Sequence, residues 1–232
     1  MTNILLTGSS RGIGAAIVTA LDLPDVTLAK QATRGGNGTI AADFADPAAP
    51  QALWDTAVAQ LGTIDVLVNN AGVFEASPLD GDEWVAQWER TMRVNLTASA
   101  ELCRLAVLHW QARGRPGRIV NVASRAAYRG DSPAHWHYAA SKAGMVAMTK
   151  TIARGYAGAG ILAFAVCPGF TMTGMAEDYL ASRGGDKLLA DIPLGRVAAP
   201  EEVATTVKFL ALEAPPSMTG AVVDVNGASY VR

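Results

Sequence analysis

The sequence is poor in cysteine and in charge, and each shortage excludes a class of protein. It holds only two cysteines, Cys103 and Cys167, and their spacing fits neither a disulfide framework nor a metal or redox motif. Charged residues make up 17% of the 232 residues and the formal net charge is −2. That balance offers no electrostatic surface for nucleic acid or for an anionic membrane. We therefore expect no metal site, no nucleic-acid partner and no membrane partner.

Long apolar runs and targeting signals are also missing. No apolar stretch approaches the roughly 18 residues that a membrane-spanning helix needs. The N-terminus lacks a basic segment followed by an apolar core and a cleavage site. Because half of the residues are apolar, disorder is excluded as well. We expect a cytoplasmic, soluble protein that folds as a single domain over residues 1–232, without linkers or internal repeats.

Short apolar runs alternate with longer helical patterns along the chain. This alternation predicts an α/β protein with a doubly wound Rossmann fold, in which a seven-stranded parallel sheet carries helices on both faces. The predicted strands are 4–6, 26–29, 39–42, 65–69, 118–122, 161–167 and 221–225, and the predicted helices are 15–21, 50–61, 82–110, 138–156 and 200–212. The segment 21–38 is too short for a further helix, so we expect a loop around Gly35-Gly36-Asn37-Gly38 there.

The first predicted strand runs into a glycine-rich turn that is followed at once by a helix of small residues. A strand, a glycine turn and a helix in this order leave free N–H groups and a positive dipole end at the helix N-terminus, which can hold a phosphate. The spacing G-x-x-x-G-x-G differs from the G-x-G-x-x-G fingerprint but allows the same contacts. A plain strand-to-helix turn is the alternative. The candidate phosphate contacts are Gly8, Ser10, Arg11, Gly12, Ile13 and Gly14.

Tyr138 and Lys142 lie four residues apart on a predicted helix, and Ser124 follows a predicted strand upstream. Residues four apart share a helix face, so the charge of Lys142 is predicted to lower the pKa of the Tyr138 phenol from its ordinary value of ~10. A tyrosine tuned in this way can act as a general acid or base. The alternative is an ordinary pair on a helix surface.

Polar motifs follow five of the predicted strands. In parallel sheets of this kind a ligand binds beyond the carboxyl ends of the strands. The motifs at these ends are Thr7-Gly8, Asp43-Phe44, Asn70-Ala71-Gly72, Ser124 and Pro168-Gly169-Phe170-Thr171-Met172-Thr173. Their convergence predicts one site at this edge of the sheet.

In this order the motifs resemble those of the classical short-chain dehydrogenase/reductase family, from one end of the chain to the other. The glycine turn resembles the family's cofactor loop, and Ser124, Tyr138 and Lys142 match its catalytic trio. Further matches are Asn69-Asn70-Ala71-Gly72, Asn95 within Arg93-Val94-Asn95-Leu96, the Pro168 to Thr173 loop and the tail from Gly220 to Ala228.

The resemblance implies hydride transfer between nicotinamide C4 and a carbonyl or carbinol carbon. Tyr138 would then give its proton to the substrate oxygen in reduction, and Ser124 would donate a hydrogen bond to the same oxygen. Lys142 would bond the nicotinamide ribose, and Asn95 would hold a water that links Lys142 to solvent. The implied cofactor contacts, besides the glycine turn, Tyr138 and Lys142, are Asp43, Phe44, Asn70, Ala71, Gly72, Pro168, Gly169, Thr171 and Thr173.

The sequence favours NADP as the cofactor, with NAD as the alternative. Folds that select NAD place an acid about 20 residues beyond the glycine loop, where it accepts from the ribose hydroxyl. Residues 28–34 contain no acid. Arg11, with Lys30 or Arg34, is expected to meet a 2′-phosphate instead.

The substrate is predicted only by resemblance. Similar family members reduce 3-oxoacyl thioesters of acyl carrier protein or CoA, and dehydrogenases of other small alcohols, sugars or steroids are the alternative. Met172, Met175, Tyr179 and Leu180 are expected to line an apolar pocket, and Arg125 and Arg129 are candidates for contacting an acyl carrier. A catalytically inactive nucleotide-binding regulator is a further alternative, although such a protein would typically lack Tyr138 or Lys142. We expect a homodimer or homotetramer formed by pairing of helices.

Overall fold

The computed structural model describes residues 1–172 and 185–231, and for residues 186–188 it describes the backbone alone. The predicted contacts Thr173, Met175, Tyr179 and Leu180 lie outside the described residues. Within the described part of the chain, no helix is long and apolar enough to cross a bilayer.

Seven strands form one parallel sheet, as predicted. They are β1 (Thr2–Leu6), β2 (Val26–Ala32), β3 (Ile40–Ala41), β4 (Val66–Asn69), β5 (Gly117–Val122), β6 (Ile161–Pro168) and β7 (Val222–Val225). Their spatial order is β3-β2-β1-β4-β5-β6-β7, and each neighbouring pair is parallel. The chain order reverses between β1 and β4, which is the place where a crevice opens at the carboxyl ends of the strands.

Helices cover both faces of the sheet, which confirms the doubly wound fold. They are α1 (Gly12–Ala20), α2 (Ala49–Leu61), α3 (Trp84–Met92), α4 (Ala98–Arg113), α5 (Ala126–Arg129), α6 (Trp136–Tyr156), α7 (Gly185–Ala190) and α8 (Pro200–Lys208). One core cluster packs the sheet against α2, α4 and α6, and includes Leu53, Leu102 and Ile152. The other packs the opposite face against α1 and α8, and includes Ile17 and Val203.

The predicted long helix over 82–110 is interrupted in the structure. It begins at Trp84 and ends at Arg113, but residues Arg93–Thr97 form a π-helical turn between α3 and α4. A single extra residue in a helix produces such a turn, and π-turns frequently mark functional sites. This one contains Asn95. Another π-turn, Phe209–Glu213, continues α8.

The connection between β2 and β3 is a loop, as the glycine-rich segment predicted. Neighbouring parallel strands usually need a crossover of a dozen or more residues. Here residues 33–39 suffice, because β3 pairs with β2 over only two residues, Gln31 with Ile40 and Ala32 with Ala41. A tight turn closed by a bridge between Gly36 and Thr39 returns the chain to the sheet.

Candidate active site

The glycine loop after β1 is packed so closely that side chains are excluded. Gly8 has a φ of +66°, and a Cβ added there would lie 2.7 Å from the Cα of Ala71. A Cβ on Gly14 would collide with the carbonyl oxygen of Gly8. Glycine therefore allows the start of α1 to approach the ends of β1 and β4.

Asn70 and Ala71, which the sequence predicted as cofactor contacts, are hydrogen-bonded to the residues that begin this loop. The side-chain amide of Asn70 donates to the carbonyl of Gly8 at 2.9 Å. The hydroxyl of Thr7 accepts from the N–H groups of Asn70 and Ala71, each at 3.0 Å. These bonds hold the carboxyl ends of β1 and β4 rigidly together.

The N-terminus of α1 lies next to the joined ends of β1 and β4. Arg11 is extended and α1 begins at Gly12. The turn is closed by the N–H of Ala15, which donates to the carbonyl of Arg11 at 3.3 Å. The N–H groups of Gly12 and Ile13 therefore point out of the helix end, where they and the exposed Ser10 and Arg11 can receive an anion.

The other edge of the crevice holds Lys30, Asp43 and Phe44. Phe44 is buried in the core, so only its backbone is available at the surface. Asp43 is exposed, and its carboxylate accepts from the N–H of Ala45 at 3.0 Å. Lys30 is half-buried, with its ammonium beside Gly38 in the loop between β2 and β3.

Sequence reasoning missed Gln31, whose side chain lies between the glycine loop and the turn that follows β3. Its side chain is 2% exposed and bonds both the N–H of Gly8 and the carbonyl of Ala42 at 2.7 Å. One signal was present in the sequence: Gln31 is a polar residue near the end of an apolar strand, about 20 residues beyond the glycine loop, where a ribose-binding acid is usual.

Ser124, Tyr138 and Lys142 are brought together at the carboxyl end of β5. Ser124 follows β5 and its hydroxyl accepts from the N–H of Ala126 at 3.1 Å. Tyr138, in the first turn of α6, is hydrogen-bonded to Ser124 through its side chain. Lys142, one turn later, donates to the carbonyl of Val122 at 2.9 Å and lies 5.8 Å from the centre of the Tyr138 ring.

The pKa of Tyr138 contradicts the prediction that Lys142 would lower it. Removal of the phenol from water raises the pKa of Tyr138 to about 12, and the hydrogen bond from Ser124 offsets this only in part. Burial also lowers the pKa of Lys142 to about 8. The ammonium lies across the face of the tyrosine ring and is bonded to Val122, so desolvation of the phenol outweighs its charge.

Asn95 lies in the π-turn and is completely buried. Its amide pairs with both backbone groups of Val73, at 2.8 and 3.0 Å, and donates to the hydroxyl of Ser141 at 3.3 Å. A Cβ added to Gly72 would lie 3.3 Å from Oδ1 of Asn95 and 3.5 Å from Nζ of Lys142. Asn95 and Lys142 therefore line the same small cradle above Gly72.

The loop after β6 closes the crevice on its far side. Pro168 ends β6, and the N–H of Gly169 donates to the carbonyl of Val225 at 2.9 Å. A Cβ on Gly169 would lie 2.9 Å from the Cα of Asn226. The hydroxyl of Thr171 donates to the carbonyl of Gly169 at 3.2 Å, which fixes the course of the loop.

The aromatic ring of Phe74 borders the trio, and two arginines near Ser124 each form an ion pair. The ring of Phe74 meets that of Tyr138 edge to face at 4.7 Å and stacks on His135 at 4.0 Å. Arg125 and Arg129 both bond Asp191, at 3.3 and 2.7 Å. They hold the segment after α7 against α5, so both guanidinium groups carry an ion pair in this structure.

Comparisons with known proteins agree with this geometry. The sequence model of a family described as enoyl-(acyl carrier protein) reductase matches residues 8–228. A 3beta-hydroxysteroid dehydrogenase 1 of Eggerthella lenta is 35% identical over 97% of this chain and 92% of its own length. A 3-oxoacyl-[acyl-carrier-protein] reductase of Synechocystis sp. is 35% identical over 96% of this chain and 94% of its own. A crystal structure from Agrobacterium tumefaciens, described as a 2-deoxy-D-gluconate 3-dehydrogenase with bound NADP, superposes with a TM-score of 0.88 at 30% identity and covers 100% of this chain and 97% of that one. This chain is therefore an oxidoreductase of the short-chain dehydrogenase/reductase family.

Proposed function

We propose that the protein is an NADP-dependent reductase that converts the ketone of a 3-oxoacyl thioester to a secondary alcohol. The observation that carries the proposal is the meeting of Ser124, Tyr138 and Lys142 at the end of β5, beside the crevice formed by the glycine loop. A phenol and a hydroxyl that share one hydrogen bond can both address a single carbonyl oxygen.

The residues of the crevice fit a dinucleotide. Gly8 and Gly14 leave room that a Cβ would fill, and the N-terminus of α1 offers N–H groups for a pyrophosphate. Residues 70–72 would hold the ribose side, and Pro168, Gly169, Thr171 and Thr173 would hold the nicotinamide side. Asp43 and the backbone of Phe44 would contact the adenine end.

Three observations support NADP over NAD. Residues 28–34, which include the end of β2, contain no acid, and Arg11 in the glycine loop and Lys30 on β2 supply cations. A guanidinium or an ammonium can receive a 2′-phosphate by charge-assisted hydrogen bonds. NADP is also bound in the Agrobacterium structure.

The proposed chemistry divides between the trio and Asn95. When bound, the nicotinamide supplies the hydride. Tyr138 donates its proton to the substrate oxygen while Ser124 stabilises the charge that develops there. Lys142, charged below its pKa of about 8, stabilises the tyrosinate left after proton donation. Asn95 forms one side of the cradle that holds Lys142. A water that linked Lys142 to solvent would donate to Oδ1 of Asn95, which already accepts one hydrogen bond from Val73.

The acyl thioester substrate rests on relatives such as the Synechocystis 3-oxoacyl-[acyl-carrier-protein] reductase. A second candidate, a steroid or polyol dehydrogenase, is supported by the Eggerthella steroid dehydrogenase and by a D-threitol dehydrogenase of Mycolicibacterium smegmatis that is 34% identical. An apolar ring could pack against Phe74, next to Tyr138. The presence of both Tyr138 and Lys142 argues against an inactive regulator.

We further propose that residues 1–232 act as one domain in a homodimer or homotetramer. Val85 on α3 and Leu108 on α4 are 61% and 50% exposed, which supports burial of this helical surface against a second copy. Both cysteines are buried in the core, which suits a reducing compartment such as the cytoplasm.

The test is a screen of the purified protein for oxidation of NADPH and NADH, with acetoacetyl thioester, steroid ketones and sugar ketones as substrates. We expect turnover with NADPH and the thioester. Faster turnover of a steroid or sugar ketone would support the second candidate, and no turnover with any ketone would refute the reductase.

Tyr138→Phe identifies the acid. The variant should lose at least a thousandfold in kcat while NADPH binding, followed by fluorescence, persists. Tyr156→Phe, at the end of the same helix, is the matched control and should keep full activity. A Tyr138→Phe variant with normal turnover would exclude Tyr138 as the acid.

A further inference from the structure

The side chain of Gln31 joins the two loops that border the adenosine end of the crevice. Its Oε1 accepts from the N–H of Gly8 and its Nε2 donates to the carbonyl of Ala42, both at 2.7 Å. Its main-chain carbonyl accepts from the N–H and the hydroxyl of Ser9, at 2.9 and 2.8 Å. One buried residue thus links the glycine loop to the end of β3.

The short connection between β2 and β3 explains why such a link is needed. Residues 33–39 are all described and contain no helix that could pack β3 onto the sheet. Beside the two-residue ladder, the turn after β3 is tied to β2 by the N–H of Ala42, which donates to the carbonyl of Ala32 at 3.1 Å. The bond from Gln31 to the carbonyl of Ala42 fixes the peptide plane that Ala42 shares with Asp43.

The side-chain amide of Gln31 also determines the direction of a backbone N–H group in the glycine loop. Because Gln31 occupies the N–H of Gly8, that N–H is directed into the protein, and anion binding is left to the helix end at Gly12 and Ile13. The same hydrogen bond stabilises the positive φ of Gly8. Gln31 therefore controls the position of the loop without facing the crevice.

We propose that Gln31 is a positioning residue for the cofactor. Its amide fixes the spacing between the glycine loop and the Asp43-Phe44 turn, a role that a crossover helix between β2 and β3 would otherwise fill. It sets the affinity for the adenosine half of the dinucleotide and leaves the chemical step unchanged. This inference rests on the proposed function, because it presumes that a dinucleotide occupies the crevice.

A neutral amide is required, because one side chain must accept on one side and donate on the other. Glutamate has the same shape and can accept from Gly8, but its carboxylate oxygen would face the carbonyl of Ala42. Methionine fills a similar volume and makes neither bond. Gln60, exposed on α2, is a matched control position.

The experiment measures binding by calorimetry for the wild type, Gln31→Glu, Gln31→Met and Gln60→Met. The ligands are NADPH and 2′-phospho-ADP-ribose, which lacks the nicotinamide ring. We expect Kd for both ligands to rise at least tenfold in the two Gln31 variants, while kcat at saturating NADPH stays within twofold of the wild type. Gln60→Met should match the wild type throughout.

The outcomes separate this inference from the proposed function. A wild type that binds neither ligand overturns both. Wild-type binding with equal Kd in the Gln31 variants, or a loss of kcat with Kd unchanged, overturns the role of Gln31 alone. Circular dichroism and thermal unfolding check the fold. If both variants, including the isosteric Gln31→Glu, are unfolded at the temperature of measurement, the side chain is purely structural and the inference fails.

Discussion

The ammonium of Lys142 is buried in a narrow cradle, and its pKa of about 8 lies close to working pH. The phenol of Tyr138, with a pKa of about 12, keeps its proton across the accessible range. Titration of Lys142 is therefore the event that should govern how activity depends on pH, because only the charged form stabilises a tyrosinate.

We predict that the reduction rate falls as the pH rises through about 8. Lys142 loses its charge in that range, and proton donation by Tyr138 then leaves an unstabilised anion. The measurement is kcat/KM for the ketone from pH 6 to 10. Lys142→Arg should keep its charge and remove the decline, although the larger head group will reduce the maximum. A wild-type rate that is constant through pH 9.5 would contradict the assignment.

We predict that Lys142→Met is inactive but more stable than the wild type. The folded-state pKa lies below the unfolded value of 10.5, so the unfolded chain binds more protons and stability rises with pH between about 8 and 10.5. At pH 7 the charged lysine therefore destabilises the fold, by about 3 kcal/mol for the difference between these two pKa values. Loss of the bond to Val122 offsets about 1 kcal/mol of the gain.

Denaturant unfolding at pH 7 measures this difference. We expect a net increase of about 2 kcal/mol in the free energy of unfolding. Lys150→Met, at an exposed position of the same helix, should change it by less than about 0.5 kcal/mol. A Lys142→Met variant less stable than the wild type would mean that the buried charge is fully compensated.

At the scale of the elements, the approach of α1 to the ends of β1 and β4 depends on Gly14. We predict that Gly14→Ala loses cofactor affinity at least tenfold and destabilises the fold by about 2 kcal/mol or more, because the new methyl group meets the carbonyl of Gly8. Gly155→Ala is the control: it lies in α6 with open space around it and should gain about 0.5–1 kcal/mol. NADPH titration and thermal unfolding measure both, and a Gly14→Ala variant that binds normally would refute the close packing.

The sheet and its helices could be predicted from the sequence, because a strand that is buried on both faces has a continuous apolar sequence. Val66–Asn69 is an example. Ser124 could be placed at the site because parallel strands end at one edge, and Tyr138 and Lys142 could be paired because residues four apart share a helix face. That the three meet was implied only by the family resemblance. The π-turn at Asn95 could not, since one extra residue in a helix hardly alters the apolar periodicity of the flanking turns. The pKa of Tyr138 depends on how much water the fold removes, and the role of Gln31 depends on the backbone of Ala42. Neither is a property of local sequence.

At the scale of the whole molecule, the exposed apolar residues of α3 and α4 are expected to pair in an oligomer. We predict that Leu108→Glu shifts the protein toward monomers, because a carboxylate cannot be buried in an apolar contact without a partner. Leu79→Glu, in the loop before α3 and similarly exposed, is the control. Light scattering after size-exclusion chromatography gives the mass of each. A wild-type monomer, or equal masses for all three proteins, would contradict the pairing of these helices.

The short β3 also bears on how the protein behaves when crowded. A strand on the border of a sheet offers unsatisfied backbone groups to strands of other molecules, and long flat borders of this kind promote aggregation. β3 is two residues long and offers too few such groups to recruit a foreign strand. The same truncation that makes the crevice depend on one glutamine thus protects this border of the sheet from adding strands of neighbouring chains.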